Sequence, residues 1–307
     1  MIQVSDIRLS VEADEEALRR KLSKLLKRPA SELGEVHIVR QSVDARKKDQ
    51  IQLVYTVQLN LAEESAILRR QLRQVKPVER KTYHFPAVRR QSDKRPVIVG
   101  MGPAGLFCAL YLARSGVPCT VLEQGRPVEE RVRDVEAFWQ TGALHERSNV
   151  QFGAGGAGTF SDGKLTTGTH DPRMSAVFDS FAAAGAPTDI LYSHKPHIGT
   201  DCLRDVVRNI RVELLGLGCD IRYSARMIGL CSDGNRLTGV RVQEIDGSEY
   251  ALSTDTVVLA VGHSDAGNYE LFQSVGLTME RKSFAIGVRI EHDQAAISQA
   301  QFGPVWD

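Results

Sequence analysis

The sequence predicts an α/β protein in which a small α+β domain precedes a larger domain built on a parallel sheet. Two observations lead to this prediction: the net charge changes sign near residue 95, and a strand–glycine turn–helix–strand pattern begins at Pro96. Of the 307 residues, 42% are hydrophobic and 25% are charged, which is typical of globular proteins and excludes disordered and fibrous classes. No run of about 18 apolar residues occurs, so we predict no membrane span.

The charge is distributed unevenly along a chain whose formal net charge is +1. Residues 1–95 carry 21 Lys and Arg against 13 Asp and Glu, whereas residues 96–307 carry 18 against 25. The stretch from Arg89 to Pro96 is polar and ends in proline, which is typical of a linker. We therefore predict that the N-terminal domain covers residues 1–90.

The N-terminal domain has a predicted β-α-β-β-α order, which is close to a ferredoxin-like or KH-like module. Apolar residues from Ile2 to Val11 alternate with an interruption near Ser5 and Asp6, which predicts a strand with an irregularity. Leucines at helical spacing behind Asp14 predict a helix that Asp14 caps. The remaining predicted elements are strands over 36–38 and 51–61 and a helix over 66–75.

A basic cluster, Arg46-Lys47-Lys48, lies in the predicted turn between two of these strands. A nucleic-acid surface would explain the cluster, but neither a GxxG loop nor an aromatic RNA-binding stretch accompanies it. A solvated turn explains the same residues, and we favour that interpretation. Nucleic acid is therefore not an expected partner.

The second domain opens with the most informative pattern in the sequence. The apolar run Val97–Val99 predicts a buried strand, and Gly100-Met101-Gly102-Pro103-Ala104-Gly105 follows it directly. Helical sequence, a second strand over 119–122 and Glu123 come next. This order of elements is the dinucleotide-binding pattern of Rossmann-like folds.

Each position in this pattern has a physical role. Gly100 allows a tight turn, Gly102 allows the backbone to approach a pyrophosphate, and Gly105 allows the helix to pack closely on the strand. The helix N-terminus offers free N–H groups and a favourable dipole to the phosphates. Glu123 stands where a carboxylate accepts hydrogen bonds from ribose hydroxyls, so FAD or NAD is favoured over NADP.

A second glycine-rich stretch has the same spacing without the same context. Gly153–Gly158 also matches GxGxxG, but the sequence after it is typical of a turn. Residues 158–164 imitate a Walker A loop, yet Leu165 stands where Ser or Thr would hold magnesium. We predict no triphosphate site here, and expect the stretch to bring backbone N–H groups against a large flat ligand.

The later sequence resembles the glutathione-reductase-like FAD fold. A predicted helix with apolar residues from Leu203 to Leu214 precedes strands that turn at Asp246-Gly247, and a last strand ends at Ala260-Val261-Gly262. In that fold a β-meander likewise leads into a strand that ends beside the cofactor.

The resemblance also covers the residues after the first glycine turn. Glu123, Gly125 and Arg131 match the acid, glycine and arginine of the fold's pattern. The resemblance implies that Arg131 and the backbone around Met227 contact the phosphate and adenosine parts of the cofactor.

Longer stretches resemble the family of uncharacterised FAD-dependent dehydrogenases, which also carries a small N-terminal α+β domain and a basic linker. The matching stretches are 149–165, 195–201 and 284–292. The resemblance implies an FAD-dependent oxidoreductase that transfers hydride or electrons between flavin and a small-molecule substrate. NAD(P)H or another protein would supply the electrons.

The sequence departs from this family in three places. Ala154 stands where the family favours an acid, and Asp265-Ala266-Gly267 stands where the family has Ala-Arg-Asp. The fold normally ends with a strand and helix that complete the flavin site, and nothing after Gly262 matches them. We therefore expect an incomplete flavin site, in a chain that is a fragment, a truncated gene product or the partner of a second chain.

The predicted FAD-binding domain covers 91–145 and 200–275, and residues 146–199 and 276–307 form the glycine-rich loop and part of a substrate domain. The predicted cofactor-binding residues are Gly100, Gly102, Pro103, Ala104, Gly105, Glu123, Gln124, Arg131, Gly155, Gly156, Thr159, Ser161, Lys164, Met227 and Gly262. We assign no catalytic residue and no metal ligand. Lys164 is either a positive charge beside the flavin or a surface residue, and His197 and His263 are either proton donors or structural residues.

Two alternatives stay open. An NAD-dependent dehydrogenase would bind NAD and show no flavin absorbance. A non-catalytic protein that binds RNA or a partner through its basic N-terminal domain would lose affinity for RNA as salt rises. The five cysteines follow no metal or CxxC spacing, which predicts reduced thiols and a cytoplasmic protein.

Overall fold

The structure is a computed structural model that describes residues 1–79, 83–89, 92–161, 163–169, 171–288 and 290–303. Several predicted stretches include residues outside the described ones: Arg90 and Gln91 in the predicted linker, Asp162 in the Walker A-like stretch, Arg289 in the stretch 284–292, and 304–307 at the end of the predicted substrate domain. The backbone forms two compact units, one of Met1–Thr82, Thr188–Pro196 and Ser283–Asp307 and one of Tyr83–Pro187 and His197–Lys282. The predicted domain limits stay a prediction.

The first unit contains a four-stranded antiparallel sheet in the order β2-β3-β1-β4. Its elements are β1 (Ile2–Ser10), α1 (Glu15–Leu26), β2 (Val36–Asp44), β3 (Gln52–Leu59), α2 (Glu64–Leu68), β4 (Val75–Pro77) and a C-terminal helix at Gln294–Phe302. The β-α-β-β-α-β succession of β1 to β4 is ferredoxin-like, one of the two predicted modules.

Local details of this unit match the sequence in most places. The register of β1 against β3 shifts between Val4 and Ile7, where Asp6 has a φ of 56°, so the predicted irregularity is confirmed. The Asp14 side chain accepts a hydrogen bond from the Ala17 N–H at 2.7 Å and caps α1 as predicted.

The helix predicted over 66–75 is wrong in its extent. The observed α2 covers only Glu64–Leu68, and β4 begins at Val75. Gln71 has a φ of 51°, which interrupts the helix, and Val75 pairs with Val4 across the sheet. Pairing with a distant strand therefore outweighs the local helical pattern.

The apolar face of α1 is the centre of this unit's core. Leu18, Leu22 and Leu26 are buried against sheet residues that include Val4 and Val57. We predict that Leu22→Ala lowers the free energy of unfolding of this unit by about 2–5 kcal/mol, because it removes fully buried methyl groups and leaves a cavity.

Hydrogen exchange of the β1 and β3 amides measures that loss, because those strands pack on α1. The control is Val43→Ala, since Val43 is 57% exposed and its truncation leaves no cavity. Equal exchange rates in the wild-type protein and Leu22→Ala would contradict the packing described here.

The second unit contains a parallel sheet in the order β11-β5-β6-β7 and an antiparallel meander of β8, β9 and β10. Its elements are β5 (Val97–Val99), α3 (Pro103–Arg114), β6 (Thr120–Leu122), α4 (Val128–Thr141), α5 (Arg173–Ala183), α6 (Thr200–Gly216), β7 (Asp220–Arg222), β8 (Arg226–Asp233), β9 (Arg236–Gln243), β10 (Glu249–Ser253), β11 (Val257–Leu259) and α7 (Ala266–Ser274). The predicted parallel sheet and β-meander are confirmed. None of the helices among the described residues has the length and hydropathy needed to cross a bilayer.

The packing of this unit follows the predicted pattern. All three residues of β5 are buried, and β5 lies between β11 and β6. The predicted apolar stripe of α6 is buried; it consists of Leu203, Val206, Val207, Ile210 and Leu214. The helices α4, α5 and α7 were not predicted.

Two cysteines that are far apart in the sequence lie together in this unit. The sulfur atoms of Cys119 and Cys219 are 3.7 Å apart and buried, at the starts of the neighbouring parallel strands β6 and β7. A hydrogen bond to Cys219 and burial both raise the pKa of the Cys119 thiol, so Cys119 stays protonated.

Candidate functional site

A cavity of about 620 Å³ opens at the carboxyl ends of β5, β6 and β11. This is the edge of a parallel sheet at which α/β proteins bind nucleotides, and the volume is in the range of ligand pockets. Its walls come from residues 99, 100, 102–104, 122–124, 151–153, 156–158, 225–227, 259–265, 268, 269 and 272. The three strands therefore bring both glycine-rich stretches and Glu123 to one place.

The first glycine turn is shaped by close backbone contacts. Gly100 has a φ of 98°, and a Cβ there would lie 2.4 Å from the Ala260 oxygen. A Cβ on Gly105 would lie 1.9 Å from the Gly100 oxygen. Both positions therefore require glycine for the fold itself, as the sequence predicted for the turn and for the packing of helix on strand.

Gly102 differs from these two glycines. Its φ is −71°, which suits any residue, and among the described residues other than its chain neighbours a Cβ there would contact only the Gly156 Cα, at 3.8 Å. The protein therefore tolerates a side chain at Gly102, which is the N-cap of α3 and lines the cavity. The absent side chain leaves space for a group that approaches the backbone and the N-terminus of α3, as a pyrophosphate does.

Glu123 is buried, with 5% of its surface exposed, and its carboxylate accepts three backbone hydrogen bonds. Oε2 accepts from the Met101 N–H at 2.8 Å, and Oε1 accepts from the N–H groups of Gly125 at 2.8 Å and Gly153 at 3.1 Å. Glu123 thus links β6 to both glycine-rich stretches. Its contact with a ribose stays a prediction, and its lining of the cavity is consistent with one.

The second glycine-rich stretch packs directly on the first. The Gly155 N–H donates to the Met101 oxygen at 2.9 Å, and a Cβ on Gly156 would lie 2.8 Å from the Gly102 Cα. A 3-10 helix, Ala157–Phe160, follows this stretch. The second glycine-rich stretch is therefore part of a loop that forms one wall of the cavity.

Arg131 lies on α4, is fully buried, and fixes this loop through hydrogen bonds. Its guanidinium donates hydrogen bonds to the backbone oxygens of Asn149, Val150, Gly153 and Ala154 at 2.7 to 3.3 Å. Burial lowers the pKa of Arg131 to about 10, and the nearby charge of Glu123 opposes that shift. The side chain is absent from the described cavity wall, so its contact with a phosphate stays a prediction.

The predicted cofactor-binding residues fall into three groups. Those on the cavity wall are Gly100, Gly102, Pro103, Ala104, Glu123, Gln124, Gly156, Met227 and Gly262. Those that support the wall are Gly105, Arg131, Gly155 and Thr159, whose hydroxyl donates to the Ala154 oxygen at 3.1 Å. Ser161 and Lys164 lie outside the wall: the Ser161 hydroxyl donates to the Gly158 oxygen at 2.7 Å, and Lys164 forms a backbone bridge with His197. A role for these two residues at the cofactor stays a prediction.

The segment from the end of β11 into α7 supplies wall residues that the sequence analysis missed. These residues are Ser264, Asp265, Asn268, Tyr269 and Phe272. Asp265 before a helical stretch is a capping signal, but the sequence analysis noted this position only as a departure from a family pattern. Of the two histidines considered as proton donors, His263 lines the cavity and His197 does not.

The model of a family described as an FAD binding domain matches residues 94–283, which contain the cavity. The chain belongs to this family. Its cofactor is FAD, as predicted, and the simple NAD-dependent alternative is set aside. A domain of unknown function, DUF8436, matches residues 1–60 of the ferredoxin-like unit.

Two curated relatives and one solved structure are similar to the chain. An uncharacterized protein of Clostridium beijerinckii is 39% identical over 98% of this chain and 56% of its own length. The FAD-dependent monooxygenase cctM of Talaromyces islandicus is 28% identical over 48% of this chain and 35% of its own length. The structure of THI4 from Thermovibrio ammonificans aligns with a TM-score of 0.41 at 15% identity, over 60% of this chain and 64% of that chain. The chain thus spans about half of the first relative and a third of the second.

The contrast between Gly102 and Gly105 predicts different outcomes for the same substitution. Gly102→Ala should lower the free energy of unfolding by only about 1 kcal/mol or less, yet weaken FAD binding at least about tenfold, because the methyl group would fill the space predicted to hold the pyrophosphate of the cofactor. Gly105→Ala should reduce both stability and FAD binding, because its methyl group collides with Gly100.

Urea denaturation and titration with FAD measure the two quantities separately. Gly216→Ala is the matched control, since a Cβ there meets nothing within 4 Å and the residue lies outside the cavity wall. Unchanged FAD affinity in Gly102→Ala would contradict the predicted position of the pyrophosphate.

A second prediction concerns Arg131. Arg131→Met should lower the free energy of unfolding by about 2–4 kcal/mol, because it leaves buried backbone oxygens without donors. The loop at 149–158 should then become sensitive to proteases, which peptide mapping detects. Arg133→Met, an exposed change on the same helix, is the control, and a loop equally protected in both variants would refute the positioning role.

Proposed function

We propose that the chain is the flavin-binding part of an oxidoreductase that transfers hydride or electrons between FAD and a small-molecule substrate. The observation that carries the proposal is the open space at Gly102, beside the N-terminus of α3 and within the same cavity as Glu123. The similarity to an FAD-dependent monooxygenase also supports it.

The residues of the cavity have distinct tasks in this proposal. Gly102 and the first turn of α3 hold the pyrophosphate, and the Glu123 carboxylate orients the ribose. Oε1 already accepts two backbone N–H groups and Oε2 accepts one, so Oε2 can still accept from a ribose hydroxyl, since an ionised carboxylate has about four acceptor sites. Bound FAD would supply the hydride and electron transfer.

The apolar part of the wall keeps water away from the cofactor. Leu122, Met227 and Phe272 line the cavity and are each less than 10% exposed. Exclusion of water strengthens the polar contacts that Glu123 and the backbone N–H groups make. The proposed electron donor is NAD(P)H or another protein, and the substrate is a small molecule.

We predict that the purified chain, supplied with FAD, retains it through gel filtration and shows the absorption bands of a bound flavin. Extraction and chromatography identify the cofactor as FAD, FMN or NAD. A chain that takes up no FAD would contradict the proposal.

The redox function is tested separately in the absence of oxygen. NADH, NADPH and dithionite are each added to the FAD-loaded chain, and bleaching of the flavin bands is followed. Reduction by dithionite alone would point to a protein as the electron donor, and reduction by a nicotinamide cofactor would identify that cofactor as the donor. A bound flavin that dithionite fails to reduce would contradict a redox role.

A further inference from the structure

Three polar side chains form a cluster on the cavity wall beside Glu123. Gln124 directly follows Glu123, and Asp265 and Asn268 lie at the start of α7. Asp265 is 6% exposed and Asn268 is 3% exposed. The Asp265 Oδ2 atom accepts hydrogen bonds from the side-chain amides of Asn268 at 2.5 Å and Gln124 at 3.4 Å.

The carboxylate determines which way both amides point. A carboxylate only accepts hydrogen bonds, so the nitrogen of each amide faces Asp265 and the oxygen of each amide makes no bond to it. Within the described residues, no hydrogen bond to the Gln124 Oε1 or the Asn268 Oδ1 atom accompanies these contacts. Two carbonyl oxygens in the wall of the cavity are thus left to accept from a ligand.

A structural role explains only part of this arrangement. Asp265 caps α7 through the Asn268 N–H at 3.3 Å, and Arg226 balances its charge at 3.5 Å. Capping requires Asp265 alone, because it uses only the backbone of Asn268. It therefore does not account for the two amide side chains, one of them almost fully buried, in a cavity wall.

We propose that the carbonyl oxygens of Gln124 and Asn268, oriented by Asp265, recognise the exocyclic amine of the adenine ring of FAD. The inference rests on the proposed function, because the base lies next to the ribose that Glu123 is proposed to orient. Adenine carries its amine as an exocyclic donor, and asparagine and glutamine are side chains that pair with it.

This site discriminates between bases that differ in one group. In hypoxanthine a carbonyl oxygen replaces the amine of adenine. This oxygen would face the carbonyl oxygens of Gln124 and Asn268, and none of the three oxygens would have a hydrogen-bond donor. An unsatisfied buried acceptor weakens binding by roughly 10- to 100-fold. We therefore expect the chain to bind FAD about 10- to 100-fold more tightly than flavin hypoxanthine dinucleotide.

The experiment titrates the full chain, freed of bound flavin, with FAD and with flavin hypoxanthine dinucleotide and follows flavin fluorescence. Gln124→Met and Asn268→Leu remove the carbonyl oxygens at similar volume. Each should weaken FAD binding while leaving the affinity for the hypoxanthine analogue nearly unchanged, so the preference falls toward unity. The matched control is Gln273→Met, an exposed residue of the same helix, which should keep the wild-type preference.

The ratio of the affinities for FAD and for flavin hypoxanthine dinucleotide distinguishes a loss of base recognition from a loss of stability. A variant that only destabilises the fold weakens the binding of both dinucleotides equally and leaves the ratio unchanged. Equal binding of the two dinucleotides by the wild-type chain would overturn the base site while leaving FAD binding intact. A preference that survives both substitutions would overturn the assignment to Gln124 and Asn268. Binding of neither dinucleotide would overturn the base site and the proposed function together.

Discussion

The buried carboxylate of Glu123 is the interaction on which the cavity depends. Its two oxygens accept N–H groups from the first glycine turn, from the segment after β6 and from the second glycine-rich stretch. A charged acceptor with several backbone donors is among the stronger polar contacts in a protein interior. The same residue that is proposed to orient the ribose therefore also assembles the walls around it.

Arg131 complements this carboxylate from the other side of the loop. Glu123 accepts the Gly153 N–H, while the Arg131 guanidinium donates to the Gly153 oxygen, so the peptide groups flanking that residue are fixed by opposite charges. The charges lie close enough for Glu123 to favour the charged form of the buried arginine. Neither charge is isolated in the interior, which removes much of the cost of burying them.

The sequence predicted what depends on neighbours along the chain. The dinucleotide-binding pattern occupies only 27 residues, from the strand Val97–Val99 through the glycine turn to Glu123. Their roles could therefore be predicted from order and spacing. The contacts of Arg131 could not be predicted from order and spacing. An arginine on a helix does not indicate that it will donate hydrogen bonds to backbone oxygens of a loop 18 to 23 residues later. The extent of α2 was also mispredicted, because the pairing of Val75 with Val4 is non-local.

The contact between Gly156 and Gly102 has a consequence for how this chain can change over time. A methyl group at Gly156 would collide with the Gly102 Cα, and no amino acid smaller than glycine exists to make room for it. At most packed positions, a larger residue can be accommodated by a smaller one at the neighbouring position. Gly102 and Gly156 cannot compensate for each other in this way. Any homologue that carries a side chain at the position of Gly156 must therefore differ in the backbone where the two loops meet.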